Sequence, residues 1–117
     1  MAERADSGQN PPESLPSDFF ERLTERQEAM IKILLDHDGW VLGPDIREEM
    51  QNEYDVQIAE RGSGTAGIIS GFTRKYGKEF RNKLIDGRWT HPDSGNRIAE
   101  HTIGEQYENE LRDYFNM

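Results

Sequence analysis

Cationic side chains are concentrated in one segment of this sequence, from Arg61 to Arg97. The segment holds eight basic and three acidic residues, whereas the rest of the chain holds six basic and twenty acidic ones. Clustered guanidinium and ammonium groups bind phosphates, and arginine also forms paired hydrogen bonds with guanine. The segment therefore predicts a nucleic-acid-binding surface inside a protein whose net charge is -9. The alternative is that these cations pair with acidic neighbours.

Half of these cations fall on one face of a predicted helix from about Thr65 to about Lys83. Its apolar residues recur at helical spacing and cover about a third of the circumference. The opposite arc carries Arg74, Lys75, Lys78, Arg81 and Asn82. Arginine and asparagine can read guanine and adenine in the major groove, whereas the two lysines suit phosphates.

Three glycines interrupt this helix, and each has two readings. A glycine in a helix interior costs about 1 kcal/mol relative to alanine. Gly71 projects on the cationic face, where a missing side chain would let a phosphate backbone approach. The glycines would equally permit close packing between helices, and Gly77 would then end the helix early.

Other constellations do not support catalysis or metal binding. The three histidines are His37, His91 and His101, and a zinc site would need further ligands in matched geometry. The glycine-rich stretch 61–67 lacks the lysine of a P-loop. No serine has a convincing histidine–carboxylate constellation beside it. We therefore predict no enzyme, no metal and no cofactor.

Local signals give the order of the elements that must position the cations. Thr24 with Gln27 is a capping box that begins a first helix, which ends at Gly39. Residues 40–42 suit a short strand, and Gly43-Pro44 starts a second helix. Residues 55–64 are ambiguous between strand and loop.

The basic helix is followed by a predicted β-hairpin and a final helix. The two strands cover 88–91 and 97–103, and the turn residues 92–96 lie between them. The last helix runs from about Gly104 to Phe115. The whole order is helix, short strand, helix, basic helix, hairpin, helix.

This order and charge placement resemble the winged helix-turn-helix superfamily of DNA-binding domains, over roughly Leu23 to Phe115. The resemblance implies a mainly helical α+β fold, with a three-helix core, a hairpin wing and a C-terminal helix. It also implies that the third helix enters the major groove of double-stranded DNA. The recognition face would be Thr65, Ser70, Arg74, Lys75, Lys78, Arg81 and Asn82. The wing would be Arg88, His91, Ser94, Asn96 and Arg97.

Two functions are compatible with such a domain. The first is a small DNA-binding transcriptional regulator, with the wing on the DNA backbone. The second is a protein–protein interaction module without DNA binding, which would use the acidic helix faces. A homodimer is also expected, because winged-helix regulators often pair through a terminal helix. Its apolar seam would be Tyr107, Leu111, Tyr114 and Phe115.

Composition limits the remaining possibilities. The chain has 117 residues and no cysteine, which excludes disulfides and thiolate metal sites. No apolar run approaches the ~20 residues that cross a bilayer, so we expect a cytoplasmic protein with no membrane contact. Residues 1–16 read as a disordered tail before a domain at 17–117. The acidic, lysine-poor composition indicates either a halophilic protein or an ordinary acidic one.

Overall fold

The computed structural model describes residues 13–37, 39–55, 65–90 and 97–117. In these ranges the chain forms five helices and a three-stranded antiparallel sheet with strand order β1-β3-β2. This confirms the predicted mainly helical α+β class and its winged-helix arrangement. The elements are α1 Glu25–Asp36, β1 Val41–Leu42, α2 Gly43–Glu53, α3 Thr65–Tyr76, α4 Lys78–Leu84, β2 Ile85–Thr90, β3 Ile98–Ile103 and α5 Glu105–Phe115.

Helix α1 begins at the predicted capping box. The backbone N–H of Gln27 donates to the Thr24 hydroxyl at 3.1 Å, and the Thr24 N–H donates to Gln27 Oε1 at 3.0 Å. The helix ends at Asp36, and the backbone N–H of His37 donates to the carbonyl of Ile33. Because its apolar residues lie on nearly all sides, α1 packs against α2, α3 and α5.

The start of α2 also follows the prediction. Pro44 lies in the first turn, where its missing N–H had no intrahelical partner. The preceding two-residue strand pairs with β3, with Val41 opposite His101. Ile46 and Met50 are fully buried and fix α2 against the core.

The predicted third helix is wrong in its length, because Gly77 divides it into α3 and α4. Gly77 has φ +94°, a left-handed conformation that favours glycine. Its N–H still donates to the carbonyl of Thr73, and its own carbonyl accepts from Arg81 in the next helix. Cations after Gly77 therefore follow a separate helix axis.

The first strand of the hairpin begins three residues earlier than predicted, and the hairpin extends from the core to the surface. Strand β2 begins at Ile85, which lies opposite Ile103, and the register continues to Thr90 opposite Ile98. Alternate residues share a face, so Ile85, Gly87 and Trp89 lie on the same side. Ile85 is fully buried while Trp89 is exposed. This face thus begins in the core and ends at the surface.

An aromatic cluster attaches the segment before α1 to the core. Phe19 is fully buried, and its ring lies 6.2 Å from Phe72 and 6.1 Å from Phe80. The partly buried Leu15 packs nearby, and its N–H donates to the carboxylate of Glu110 at 3.2 Å. Leu15, which falls in the predicted tail, thus contacts the domain in this structure.

Some predictions fall on residues 1–12, 38, 56–64 and 91–96, which lie outside the described residues. These are most of the predicted tail, the ambiguous stretch after α2, the glycine-rich loop and the hairpin turn, including the wing residues His91, Ser94 and Asn96. Within the described ranges, no helix combines the length and apolar character needed to cross a membrane.

Two glycine substitutions should have opposite effects on stability. A Cβ at Gly104 would lie 1.9 Å from the carbonyl oxygen of Lys83, so Gly104→Ala should lower the free energy of unfolding by about 2 kcal/mol or more. A Cβ at Gly67 meets nothing within 4 Å, so Gly67→Ala should raise it by about 0.5–1 kcal/mol. Urea denaturation measures both changes, and equal effects would contradict this packing.

Candidate nucleic-acid interface

An open groove of about 1390 Å³ separates α3 from the hairpin. Its walls are the exposed face of α3 and the ends of β2 and β3, and the first turn of α1 borders it. Its described lining residues include four cations and one carboxylate, whereas the whole protein has a net charge of -9. The cations are Arg26, Arg74, Lys75 and Arg97, and the carboxylate is Glu25.

Small residues make the groove side of α3 flat up to Arg74. Ala66, Gly67 and Ser70 are exposed there, while Phe72 on the opposite side is fully buried. Ser70 and Arg74 are one helical turn apart, so they occupy the same face. Arg74 is also exposed and is therefore the long cationic side chain that this face presents.

Gly71 serves helix packing. A Cβ at this position would lie 2.7 Å from Nε2 of Gln27, a side chain that is only 3 % exposed. Of the two readings of this glycine, the structure therefore supports close approach of α3 to α1. Because a larger residue would displace Gln27, Gly71 sets how closely the two helices approach each other.

Lys75 is bound to the protein itself. Its ammonium group donates to Oε1 of Gln27 at 3.1 Å and also to the backbone carbonyl of Arg22. Desolvation lowers the pKa of Lys75, and the nearby Arg22 guanidinium lowers it further. The predicted phosphate contact at Lys75 thus competes with two acceptors inside the chain.

The hairpin directs its two arginines to different faces. Arg97 lies in the groove, with its guanidinium carbon 4.5 Å from the centroid of the Trp89 ring. Arg88 lies over the ring of Trp40 at 4.0 Å, and its Nε donates to Glu100 at 2.5 Å. Alternation along the strand puts Arg88 on the face opposite to Trp89. The predicted wing surface is therefore divided, and Arg97 is its groove-facing arginine.

Thr65 requires a correction, because its side chain is only 1 % exposed and is unavailable for DNA. Its hydroxyl lies 3.4 Å from Nε2 of His101, which is itself 8 % exposed. This contact joins the first residue of α3 to the central strand of the sheet. Thr65 thus positions the helix that borders the groove.

The residues on α4 lie outside the groove. Asn82 lines a second cavity of about 880 Å³, together with Trp40 and Lys83. Arg81 is half-buried, and Lys78 is exposed at the first turn of α4. The break at Gly77 separates these three predicted DNA contacts from Ser70 and Arg74.

Arg26 and Trp89 belong to the groove but were absent from the predicted site. Arg26 lies in an acidic part of the sequence, and no local pattern shows that the first turn of α1 borders α3. Trp89 had a usable signal, because alternation places it on the face opposite to Arg88. Its residue exposure is 60 %.

The predicted dimer seam is largely part of the protein's own core. Tyr107 and Leu111 are fully buried, and Phe115 is partly buried against the same cluster. Tyr114 is exposed, and its ring stacks on Phe20 with centroids 3.7 Å apart. Packing within one chain therefore uses most of the apolar stripe.

Among the described residues, no group of three or more His, Asp or Glu side chains is placed so that it could hold a metal ion.

The stability of the folded protein should depend on the protonation of His101. Burial lowers the pKa of His101, and Arg81 lowers it further, against weaker opposing effects of the Asp86 backbone and Glu100. The unfolded chain therefore takes up a proton near pH 6.5 that the folded chain resists, so stability is lost as the pH falls below that value.

His101→Gln removes this titration and keeps a polar side chain. Urea denaturation between pH 8 and pH 5 should show a smaller loss of stability for the variant than for the wild type. The same loss in both proteins would contradict a lowered pKa for His101, and an NMR titration of its ring would check that pKa directly.

Comparison with known proteins shows similarity of fold. No protein-family model and no curated protein matches the sequence. Among solved structures, the crystal structure of the circadian clock associated protein Pex from Anabaena matches with a TM-score of 0.52. The two chains are 15 % identical, and the match covers 82 % of each. At this identity the match shows that the chain shares the winged-helix-like fold of Pex.

Proposed function

We propose that this protein binds double-stranded DNA as a transcriptional regulator, with α3 in the major groove and the hairpin on the sugar-phosphate backbone. The observation that carries the proposal is the groove between α3 and the hairpin. Among the residues that the structure describes, it holds four of the chain's 14 basic residues with a single carboxylate, although the protein has 23 acidic residues. Such a surface attracts a polyanion in one orientation, because the acidic remainder repels it from the others.

The shape of α3 suits entry into a DNA groove. Ala66, Gly67 and Ser70 allow its backbone to approach base edges closely. Arg74 then extends from the same face, and a guanidinium can form two hydrogen bonds with O6 and N7 of guanine. In this arrangement Ser70 and Arg74 read bases.

The remaining free cations of the groove suit phosphates. Arg26 at the first turn of α1 and Arg97 on the hairpin border α3 on different elements. Phosphate contacts on two sides fix the register of a helix in the major groove without reading sequence. Because Arg26 and Arg97 are the two cations among the described groove residues that suit phosphates, the salt slope of binding should be shallow, near −2 on a log–log plot at about −0.9 per neutralised phosphate.

Removing two of the groove arginines, Arg74 and Arg97, should weaken DNA binding more than removing two cations elsewhere. We expect Arg74→Ala/Arg97→Ala to lower the affinity for duplex DNA about tenfold or more at low salt and to reduce the salt slope by about 1, because one base contact and one phosphate contact are lost. Fluorescence anisotropy with a labelled duplex of random sequence, measured over a series of salt concentrations, provides both quantities.

The matched control is Lys78→Ala/Lys83→Ala, which removes the same charge from exposed positions on α4. This variant should lose much less affinity and keep the wild-type slope, with circular dichroism checking that both variants fold. Equal losses in the two variants would contradict the groove as the DNA site. A wild type that binds no DNA at any salt concentration would instead favour the protein–protein interaction module.

A further inference from the structure

Trp89 is the most exposed large hydrophobic residue among the described residues, at 60 %, and it lies inside the cationic groove. Tryptophan combines a large apolar surface with a single N–H donor, so it is usually covered by protein or by a partner. Trp89 does not contribute to the core, because the sheet face that bears it lies outside the core beyond Gly87. The position therefore calls for a partner with an apolar surface.

The neighbours of Trp89 hold its ring and add a charge. Ala99 lies directly opposite on β3, and its short side chain leaves the indole accessible. Arg97 lies two residues before Ala99, which is the diagonal position that long side chains reach across a strand pair. Its guanidinium lies 4.5 Å from the ring centroid. The hairpin wall of the groove thus presents an indole with a guanidinium over one of its two faces.

We propose that Trp89 packs its indole against deoxyribose of the DNA backbone while Arg97 binds the adjacent phosphate. This inference rests on the proposed DNA binding and names the chemistry of the hairpin contact. The sugar-phosphate backbone alternates apolar C–H surface with anionic oxygens, which matches the adjacent indole and guanidinium. With α3 in the major groove of the DNA, the DNA strand at the edge of that major groove faces the hairpin. The bases stay stacked inside the duplex, so the hairpin meets sugars and phosphates.

The two residues should then contribute to affinity in different ways. Arg97 releases counterions, so its contribution decreases with salt. Trp89 buries apolar surface on a sugar, so its contribution is independent of salt and of base sequence. A loss of affinity with an unchanged salt slope would therefore indicate a direct apolar contact of Trp89 with DNA. A merely structural role of Trp89, such as holding Arg97 in place, would also change the slope.

The test compares Trp89→Ala, Trp89→Phe and Arg97→Ala in anisotropy titrations over a salt series, with two duplexes of unrelated sequence. Trp89→Ala should bind both duplexes about tenfold more weakly with an unchanged salt slope, and Trp89→Phe should restore most of the affinity. Arg97→Ala should reduce the slope by about 0.9. Circular dichroism and thermal melting check that the exposed position tolerates each change.

A fluorescence measurement gives independent evidence. The chain has two tryptophans, so Trp40→Phe leaves Trp89 as the only indole emitter. DNA should change its emission and protect it from acrylamide quenching. Unchanged affinity in Trp89→Ala, a loss confined to one sequence, or an indole that stays quenchable in the complex would overturn the inference while DNA binding stands. A wild type that binds neither duplex would overturn the proposed function as well.

Discussion

The groove depends on the buried carboxamide of Gln27. Its oxygen accepts the N–H of Thr24 and thereby caps α1, and it also accepts the ammonium group of Lys75 on α3. Its nitrogen lies 2.7 Å from where a Cβ at position 71 would be, so a larger residue there would displace this carboxamide. A buried amide is costly unless its polar atoms are paired. One side chain therefore joins the start of α1 to α3, and this junction brings Arg26 next to the exposed face of α3.

The cationic segment is divided by its own intramolecular partners. Gly77 turns the chain between Arg74 and Lys78, so the basic residues follow two helices. Arg88 is paired with the buried carboxylate of Glu100, and Lys75 is bound by acceptors within the chain. The surface available to a polyanion is consequently smaller than the composition of the segment indicates. An acidic protein with few free cations would rely on shape and on apolar contacts for a larger share of its affinity.

The two tryptophan–arginine pairs of the hairpin show how strand alternation separates roles. On one face, Arg88 stacks on Trp40 and is neutralised by Glu100. On the other face, Arg97 stacks on Trp89 in an open groove. The two pairs differ in burial. Trp40 is partly buried and directly precedes β1, whereas Trp89 is exposed at the end of β2. The first pair stabilises the sheet, and the second remains accessible to a partner.

The sequence by itself determined the features that depend on neighbouring residues. The Thr24–Gln27 capping box, Pro44 at the start of α2 and the order of the elements all follow from local backbone chemistry. The helix break at Gly77 was only one of two readings of the sequence, since Gly67, Gly71 and Gly77 look alike in sequence and adopt three different roles. Thr65, Arg26 and Arg88 were likewise decided by tertiary structure, because burial, proximity and ion pairing join residues far apart in the chain. Local signals specify where elements begin, whereas packing and strand register decide which side chains face the groove.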